Sequence, residues 1–336
     1  MSAFVHFPSW LRPEIIPGFI LHWYGLMYLI AFACAYLLVK HQVKVRKLPI
    51  SEDDIVSFFF YVILGLLLGA RLVSVIVYDP EGVYRESPWL IFWPFSDGDF
   101  TGLQGMSYHG GLIGAVVSGL IYCKAKKQSF WLWADLVAAG VPLGYTAGRI
   151  GNFINGELWG RVTTASWGMI FPHAETFSTK ERWVREVASE IGLPLGSSGR
   201  INLPRHPSQL YEAFFEGFFL WVILWFIVRK RKKFEGQMIG SYLLGYGLVR
   251  FFIEYFREPD PGMGFPIALA PDKTYPQALF LSPWNFSTGQ IFCLLMVAAG
   301  IIVIVFCARQ ERVRRELAAQ AGKKPRYRKL KKKHGS

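Results

Sequence analysis

Long apolar stretches recur along this 336-residue chain, and they constrain its fold more than any other feature. They lie at about 19–39, 55–78, 109–123, 130–148, 211–228, 238–256 and 288–307. Each is close to the ~20 residues with which an α-helix crosses the ~30 Å hydrocarbon core of a bilayer. Because a membrane admits only helices and closed barrels, the sequence predicts an all-α integral membrane protein with seven transmembrane helices.

Lysine and arginine are distributed unevenly between these stretches. Clusters follow the first, third and fifth stretches, and twelve further basic residues follow Cys307, so 24 of the 37 Lys and Arg residues fall on one side of the membrane. Loops rich in Lys and Arg stay in the cytoplasm, so we expect the amino terminus outside and the carboxyl terminus inside. Nucleic acid is not an expected partner despite the net charge of +13, because only 18% of the residues are charged.

The apolar stretches fall into two groups along the chain. Residues 1–150 hold the first four predicted helices, together with an outer loop at 79–108 that is rich in proline and aromatic residues. Aromatic side chains are enriched at the depth of the lipid headgroups, so this loop is predicted to be interfacial. Residues 208–308 hold the last three helices.

Two polar segments complete the predicted organisation. Residues 151–207 are long enough to form a small external cap, with an amphipathic helix near residues 180–191. Residues 309–336 form a basic cytoplasmic tail. We expect this tail to be mostly disordered and to rest on the anionic headgroups of membrane lipids.

Polar side chains inside the predicted helices are candidates for function, because an arginine at a helix centre costs about 2.5–3.5 kcal/mol on insertion. These candidates are His22, Tyr24, Arg71, His109, Asp135, Arg149, Arg250 and Glu254. Arg71 and Asp135 fit a structural role, as charge partners or interface residues, about as well as a functional one. Tyr246, Arg250 and Glu254 share one helix face, where Glu254 can neutralise Arg250 and also hold it ready for an anionic ligand.

The densest polar segment is Gly148-Arg-Ile-Gly-Asn-Phe-Ile-Asn-Gly-Glu-Leu-Trp-Gly-Arg161, at the predicted outer end of the fourth helix. Its glycines allow a ligand to approach the backbone. The planar guanidinium of Arg149 fits phosphate oxygens, and Asn152 and Asn155 add neutral donors. Packing alone does not require this mixture, so the segment predicts a binding site for a phosphate group.

His109 lies within a second glycine-rich segment, Gly105–Gly114, where the outer loop enters the third helix. A single histidine is most often a hydrogen-bonding residue without a catalytic role. Its ordinary pKa near 6.5 nevertheless suits proton abstraction at neutral pH, and the adjacent glycines expose its ring. A metal site is not predicted, since no pair of histidines has the spacing of zinc ligands and no Cys-x-x-Cys motif occurs.

These motifs together resemble the prolipoprotein diacylglyceryl transferase family of bacterial inner membranes. The resemblance extends from His22-Trp-Tyr-Gly-Leu-Met27 through His109-Gly-Gly111 and Gly148–Arg161 to 206–212 and 246–258. It implies transfer of the diacylglyceryl group of phosphatidylglycerol to the lipobox cysteine thiol in a prolipoprotein signal peptide. A thioether forms, glycerol 1-phosphate is released, and no metal or organic cofactor is involved.

The resemblance also implies roles for individual residues. Arg149 binds the lipid phosphate, and Arg250 is a second essential cation. His109 assists thiol deprotonation and Tyr24 lines the catalytic pocket. The remaining expected substrate-binding residues are Asn152, Asn155, Glu157, Gly160, Tyr246 and Glu254.

Two other functions are compatible with intramembrane arginines. A transporter or flippase of an anionic amphiphile could use them, but it should carry polar residues through both halves of the membrane. A lipid-binding scaffold would explain the basic tail but not two buried arginines.

Overall fold

Helices account for most of the computed structural model, which describes residues 4–16, 22–77, 82–93, 95–96, 99–100, 105–259, 265–269 and 276–321. The helices are α1 (Trp23–Arg46), α2 (Glu52–Val77), α3 (Val83–Glu86), α4 (Tyr108–Ala125), α5 (Phe130–Ala138), α6 (Val141–Ile154), α7 (Arg182–Glu190), α8 (Ser208–Arg231), α9 (Gln237–Ile253) and α10 (Thr288–Gln320). A 3₁₀ turn covers Pro88–Ile91. The strands within the described ranges are two residues long.

The strands form four two-stranded ladders. Strands β1 (Val5–His6) and β4 (Met169–Ile170) pair in parallel. Three antiparallel pairs join β2 (Phe95–Ser96) to β3 (Asp99–Phe100), β5 (Phe177–Ser178) to β6 (Arg200–Ile201), and β7 (Ile267–Ala268) to β8 (Asn285–Phe286). These ladders connect loops, and the architecture remains helical.

In the part of the chain that the structure describes, four helices, α1, α2, α8 and α10, are long and apolar enough to cross a membrane. Between 17% and 39% of the residues in their most apolar windows are buried inside the protein, so most of these apolar side chains face outward. Apolar surface on this scale is stable only in a nonaqueous environment. The prediction of an integral membrane protein is therefore confirmed.

The other three predicted spans differ in detail. Helix α4 has 18 residues and α9 has 17. The prediction of one continuous helix over 130–148 was wrong, because α5 ends at Ala138 and α6 begins at Val141. Pro142 explains the break, since proline has no N–H and its ring clashes with the carbonyl four residues earlier.

The carboxyl-terminal segment also departs from prediction. Residues 309–320 continue α10 and are helical, contrary to the expected disorder. Ion pairs one turn apart join Arg312 to Glu316 and Arg315 to Glu311, at 2.8 and 2.7 Å, and such pairs stabilise an exposed helix. The rest of the predicted tail, 322–336, lies outside the described residues.

The described helices belong to two compact units, one of residues 39–133 and one of residues 1–38 with 134–336. In the smaller unit α2 packs on α4 through facing glycines, and a Cβ atom on Gly69 would lie 2.3 Å from the Gly110 carbonyl oxygen. Arg71 of this unit donates hydrogen bonds to the carbonyl oxygens of Gly105 and Leu90, at 3.2 and 3.3 Å. Arg71 thus fastens the outer loop to α2, which supports its structural interpretation.

In the larger unit, glycines again allow helices to approach closely. A Cβ atom on Gly144 of α6 would lie 3.2 Å from the Ala31 Cβ of α1. On Gly217 of α8 it would lie 2.1 Å from the Thr146 hydroxyl of α6. Helix α6 therefore packs between α1 and α8, and the polar residues of these three helices can meet.

Asp135 also has a structural role. Its carboxylate pairs with Lys232 at 2.5 Å and accepts hydrogen bonds from the backbone N–H groups of Gly236 and Ile239, at 2.8 and 2.9 Å. An acidic group at the first turn of a helix satisfies its unpaired N–H groups and its dipole. Asp135 therefore caps α9.

Residues 151–207 contain a small hydrophobic core outside the long apolar helices. The predicted amphipathic helix is confirmed as α7, which buries Trp183, Val184 and Ala188. These side chains pack with Ile201 and Leu203. The segment is therefore a packed substructure, and its position on the outer side of the membrane stays a prediction.

Candidate functional site

A cluster of buried charges joins α6, α8 and α9 around the carboxylate of Glu212. Oε2 of Glu212 lies 3.0 Å from Arg149 Nε and 2.8 Å from Arg250 Nη1. The same oxygen lies 3.1 Å from the Tyr145 hydroxyl oxygen. One oxygen atom thus joins the two arginines that the sequence singles out.

Glu212 begins a π-helical segment of α8 that runs to Phe219. Segments of π-helix are rare and often occur at functional sites. Glu216, one turn further on, is completely buried and accepts a hydrogen bond from the Tyr145 hydroxyl at 2.6 Å. Its other oxygen lies 3.4 Å from Arg250 Nη1.

Arg250 is held by three carboxylates. Besides Glu212 and Glu216 it contacts Glu254, whose Oε2 lies 2.8 Å from Arg250 Nη2. The predicted Arg250–Glu254 pair is therefore present, and the carboxylates of α8 add to it. Breaking a buried ion pair by removing one partner costs about 3–5 kcal/mol, so this arrangement holds the guanidinium firmly.

Tyr246 lies on the same face of α9 as Arg250, as its spacing predicts. Its hydroxyl is 3.4 Å from that of Tyr145, and the two rings meet edge to face. The Tyr145 ring also lies 4.8 Å from the guanidinium carbon of Arg149. A cation above an aromatic face is stabilised electrostatically. Tyr145 therefore contacts Arg149 as well as the carboxylates of Glu212 and Glu216.

The segment after Arg149 forms a network of its own. Arg149 Nη1 lies 3.4 Å from the Asn152 side-chain oxygen. The side-chain amides of Asn152 and Asn155 both donate to Glu157 Oε1, at 2.9 and 3.3 Å. The structure therefore brings together four residues that were predicted to contact the lipid headgroup.

Tyr24 approaches this network from α1. A Cβ atom on Gly151 would lie 3.5 Å from the Tyr24 ring, so the ring packs against the backbone of α6. The Tyr24 hydroxyl is 3.0 Å from that of Tyr28, whose side chain is exposed. This position is compatible with the predicted pocket lining.

Gly160 has a clear structural function. A Cβ atom there would lie 2.2 Å from the Phe256 carbonyl oxygen, and its N–H donates to the His206 carbonyl at 2.8 Å. The absence of a side chain at Gly160 therefore lets the segment after α9 pack directly against the Gly160 backbone. That segment carries Arg257, whose Nε is 3.8 Å from the second oxygen of Glu212.

His206 is partly buried and Arg161 is fully buried, and both lie beside the contact between Gly160 and Phe256. Burial, reinforced by the positive charge of Arg161, lowers the pKa of His206 to about 4. Its Nδ1 lies 3.2 Å from the Tyr211 hydroxyl. Burial lowers the pKa of Arg161 to about 10, and its guanidinium donates to the carbonyl oxygens of Arg257 and Leu279, at 2.7 and 2.8 Å. At neutral pH His206 is therefore uncharged, and Arg161 anchors the loop after α9.

His109 belongs to the smaller unit. It lies in the first turn of α4, where the Ser107 hydroxyl caps the helix by accepting from the Gly110 N–H at 3.2 Å. Its ring is exposed and meets Tyr108 edge to face. A catalytic role for His109 remains a prediction.

Glu212, Glu216 and Tyr145 were not predicted as site residues. Both glutamates lie inside the predicted span 211–228, so the cost of burying charge in a membrane applies to them as much as to arginine. That rule would have found them. Tyr145 carries no comparable signal, because tyrosine is common in membrane helices.

The cluster is suited to binding an anion. Arginine has five N–H donors in a rigid fork that matches phosphate oxygens. The side chains of Arg149 and Arg250 are 17% and 11% exposed, so each can present donors to a ligand while it stays bound to Glu212. Among the described residues, no three His, Cys, Asp or Glu side chains are arranged to hold a metal ion, and a metal-free reaction stays a prediction.

Comparison with known proteins gives matches along most of the chain. The sequence pattern of the family described as "Prolipoprotein diacylglyceryl transferase" matches residues 14–306. The phosphatidylglycerol–prolipoprotein diacylglyceryl transferase of Treponema pallidum (strain Nichols) is 50% identical over 310 residues, which cover 88% of this chain and 92% of that protein. The protein of the same name from Treponema denticola is 49% identical, and the alignment covers 94% of this chain and 98% of that protein. The protein of the same name from Chlorobaculum tepidum is 41% identical, and the alignment covers 90% of this chain and 91% of that protein.

Proposed function

The chain belongs to the prolipoprotein diacylglyceryl transferase family, and we propose from this premise that it is a phosphatidylglycerol-dependent transferase. It moves the diacylglyceryl group of phosphatidylglycerol to the lipobox cysteine thiol of a prolipoprotein, the first step of lipoprotein lipidation. The observation that carries the proposal is the pair of arginines, the partly buried Arg149 and the buried Arg250, held by one oxygen of Glu212.

The reaction needs both a nucleophile and a stabilised leaving group. A free thiol has a pKa near 8.5 and is mostly protonated at neutral pH, so it must lose its proton before it attacks. The sulfur then bonds to the glyceryl carbon while the bond from that carbon to the phosphate oxygen breaks. The electron pair leaves with glycerol 1-phosphate, and negative charge builds up on the phosphate.

Arg149 and Arg250 stabilise this charge. Donors that are fixed before the reaction stabilise a developing anion most effectively in a site that excludes water, and losing one typically reduces the rate by about 10²–10³. The carboxylates of Glu212, Glu216 and Glu254 provide that fixation for the guanidinium of Arg250. Both arginines therefore act on the phosphate without first having to reorganise.

The remaining predicted residues shape the binding site. Asn152, Asn155 and Glu157 form the hydrogen-bonded network beside Arg149 and contact the lipid headgroup. Tyr246 contributes its hydroxyl from α9, and Gly160 keeps the Arg257 segment close to Glu212. Tyr24 lines the pocket from α1, and His109 accepts the thiol proton.

The proposed setting is the inner membrane of a bacterium. Seven apolar segments span it, the fourth formed by α5 and α6 together, with the segment 151–207 forming a cap on the outer side and the carboxyl terminus in the cytoplasm. Support for this orientation comes from the basic loops after the first, third and fifth apolar stretches. The proposed partner of the basic segment that begins at residue 309 is the anionic headgroups of membrane lipids.

A direct assay tests the proposed function. The purified protein is incubated with phosphatidylglycerol and a peptide containing a lipobox cysteine, and the peptide is examined by mass spectrometry. We expect a diacylglyceryl adduct on the cysteine and release of glycerol 1-phosphate. No adduct with wild-type protein, or movement of lipid across vesicle membranes without an adduct, would reject the transferase.

Arg149→Ala and Arg250→Ala should each lower the transfer rate by about 10²-fold or more, because each removes one charge-stabilising group. Arg182→Ala is the matched control, since that side chain is 85% exposed on α7. Insertion into the membrane should be unchanged in all three variants. Wild-type labelling by Arg250→Ala would contradict the assigned role.

His109→Gln tests the assigned base. Removing a general base typically lowers a rate by about 10²–10⁴, and the loss should lessen as the pH rises towards the thiol pKa. The measurement is the pH dependence of the transfer rate for wild type and variant. A variant that keeps most of its rate at pH 7 would remove His109 from the mechanism.

A further inference from the structure

Glu254 connects Arg250 to the beginning of α10. One oxygen of its carboxylate lies 2.8 Å from Arg250 Nη2. The other accepts a hydrogen bond from the Ser287 hydroxyl at 3.0 Å. Ser287 is 2% exposed and Glu254 is 7% exposed, so water can contribute little to holding this carboxylate.

Ser287 is itself fixed by the helix that it begins. It is the N-cap of α10, where its hydroxyl accepts from the Gln290 N–H at 3.2 Å and its own N–H donates to the Gln290 side chain at 3.0 Å. The Gln290 side chain also donates to the Phe251 carbonyl oxygen of α9 at 3.3 Å. A hydroxyl has one donor and two acceptor positions, so Ser287 can cap α10 and donate to Glu254 at the same time.

Gly289 provides the space that Glu254 occupies. A Cβ atom at this position would lie 2.5 Å from Glu254 Oε1 and 2.9 Å from the carboxylate carbon. Any side chain here would push the carboxylate away from the first turn of α10. The carboxylate also benefits from this location, because the amino-terminal end of a helix carries partial positive charge.

We infer that Ser287 and Gly289 are positioning residues for Arg250, which they hold in place through Glu254. The inference rests on the proposed function, in which Arg250 binds the phosphate of the lipid. Ser287 and Gly289 themselves contact Glu254, and their effect reaches the reaction only through that carboxylate and the guanidinium.

Ser287→Ala removes the hydrogen bond to Glu254, and we expect kcat/KM to fall about 10-fold, the factor that one hydrogen bond to a charged group contributes. Ser287→Thr keeps a hydroxyl and a good N-cap, so it should restore most of the activity. Gly289→Ala displaces the carboxylate, and we expect a loss of about 10²-fold, comparable to losing a charge-stabilising contact.

A double-mutant cycle separates an effect that acts through Glu254 from a general structural effect of Ser287→Ala. In a Glu254→Gln background, Ser287→Ala should cause no further loss, because the carboxylate through which it acts is already gone. Loss of the helix cap alone would lower activity equally in both backgrounds. An equal loss would therefore overturn the inference, and the cycle decides the matter even if Gly289→Ala fails to fold.

Gly300→Ala is the control for packing between α9 and α10. A Cβ atom there would lie 2.7 Å from the Leu244 nitrogen and 2.8 Å from the Gly240 carbonyl oxygen, so the same helix pair is disturbed without a contact to Glu254. Its thermal midpoint should fall while kcat/KM of the folded enzyme remains near wild type. If it loses as much activity as Gly289→Ala, packing explains both variants and the inference fails.

The assay also separates this inference from the proposed function. An active Arg250→Ala variant would refute the role of Arg250 itself. An inactive Arg250→Ala variant, together with wild-type activity in Ser287→Ala and Gly289→Ala, would leave the transferase intact and reject the positioning role.

Discussion

Replacing Glu212 by glutamine removes the negative charge that Arg149 and Arg250 share. Oε2 of Glu212 lies within 3.0 Å of both guanidinium groups. Glutamine has nearly the same volume and keeps one acceptor oxygen, but its amide carries no charge. The attraction on both guanidinium groups therefore weakens, and we expect both arginines to shift from the proposed phosphate-binding positions.

The expected size of the effect depends on which carboxylates still hold each arginine after the change. A preorganised donor to a developing anion is worth about 2.7–4 kcal/mol, or 10²–10³ in kcat. Arg250 keeps Glu254 at 2.8 Å and Glu216 at 3.4 Å, so it is partly held. We therefore expect Glu212→Gln to lose about 10²-fold in the transfer rate, with the larger share arising at Arg149.

Stability must be measured with activity, because breaking a buried ion pair costs about 3–5 kcal/mol. Asp135→Asn is a matched control, since Asp135 and Lys232 form a buried pair at 2.5 Å in the same unit. Asp135 caps the first turn of α9, and Arg250 lies about 20 Å further along that helix. This control should lower the thermal midpoint while the folded enzyme retains its rate.

The assay is the formation of peptide adduct per folded molecule, with the folded fraction taken from thermal unfolding in detergent. Glu212→Gln should fall well below Asp135→Asn at the same folded fraction. If the two variants lose activity in proportion to their stability alone, Glu212 does not organise the arginines and the reasoning is refuted.

Two further predictions concern the residues beside the cluster. Gly160→Ala should lower both the thermal midpoint and the transfer rate, because its Cβ would lie 2.2 Å from the Phe256 carbonyl oxygen. Gly148→Ala is the stability control, since its Cβ would meet no atom within 4 Å. Equal thermal midpoints for the two variants would contradict the prediction. For His206, burial and the charge of Arg161 lower the pKa to about 4, so the unfolded chain binds the proton more readily than the folded one. The contribution of His206 to the free energy of unfolding should therefore be fully present above the ordinary histidine pKa of about 6.5 and be lost as the pH drops towards 4. In His206→Gln, the thermal midpoints at pH 7.5 and pH 5 should converge. An unchanged pH dependence in this variant would rule out His206 as the cause.

Local sequence patterns predicted the contacts within single elements. Arg250 and Glu254 are one helical turn apart, so their pairing follows from helix geometry alone. The network of Asn152, Asn155 and Glu157 also lies within a few residues of Arg149. Contacts of this kind need no knowledge of how helices pack.

Contacts between helices were harder to predict. That one carboxylate oxygen of α8 meets arginines of α6 and α9 depends on how three helices are rotated, which hydrophobic periodicity does not specify. The close approach of α8 to α6 depends on Gly217. Hydropathy also missed the break before Pro142, because proline and glycine interrupt a helix without making it less apolar.

The balance of charge in the cluster explains how arginines can be both stable in a membrane and ready for an anion. Three arginines, Arg149, Arg250 and Arg257, contact the carboxylates of Glu212, Glu216 and Glu254. Arginines without partners would be costly inside a membrane, whereas arginines with every N–H donor on a carboxylate would hold a phosphate weakly. An arginine fork resolves this conflict, because it can keep one donor on a carboxylate and turn others towards a ligand. In the proposed reaction, the carboxylates lower the cost of burial before substrate arrives, and the charge that develops on the leaving phosphate meets donors that are already oriented.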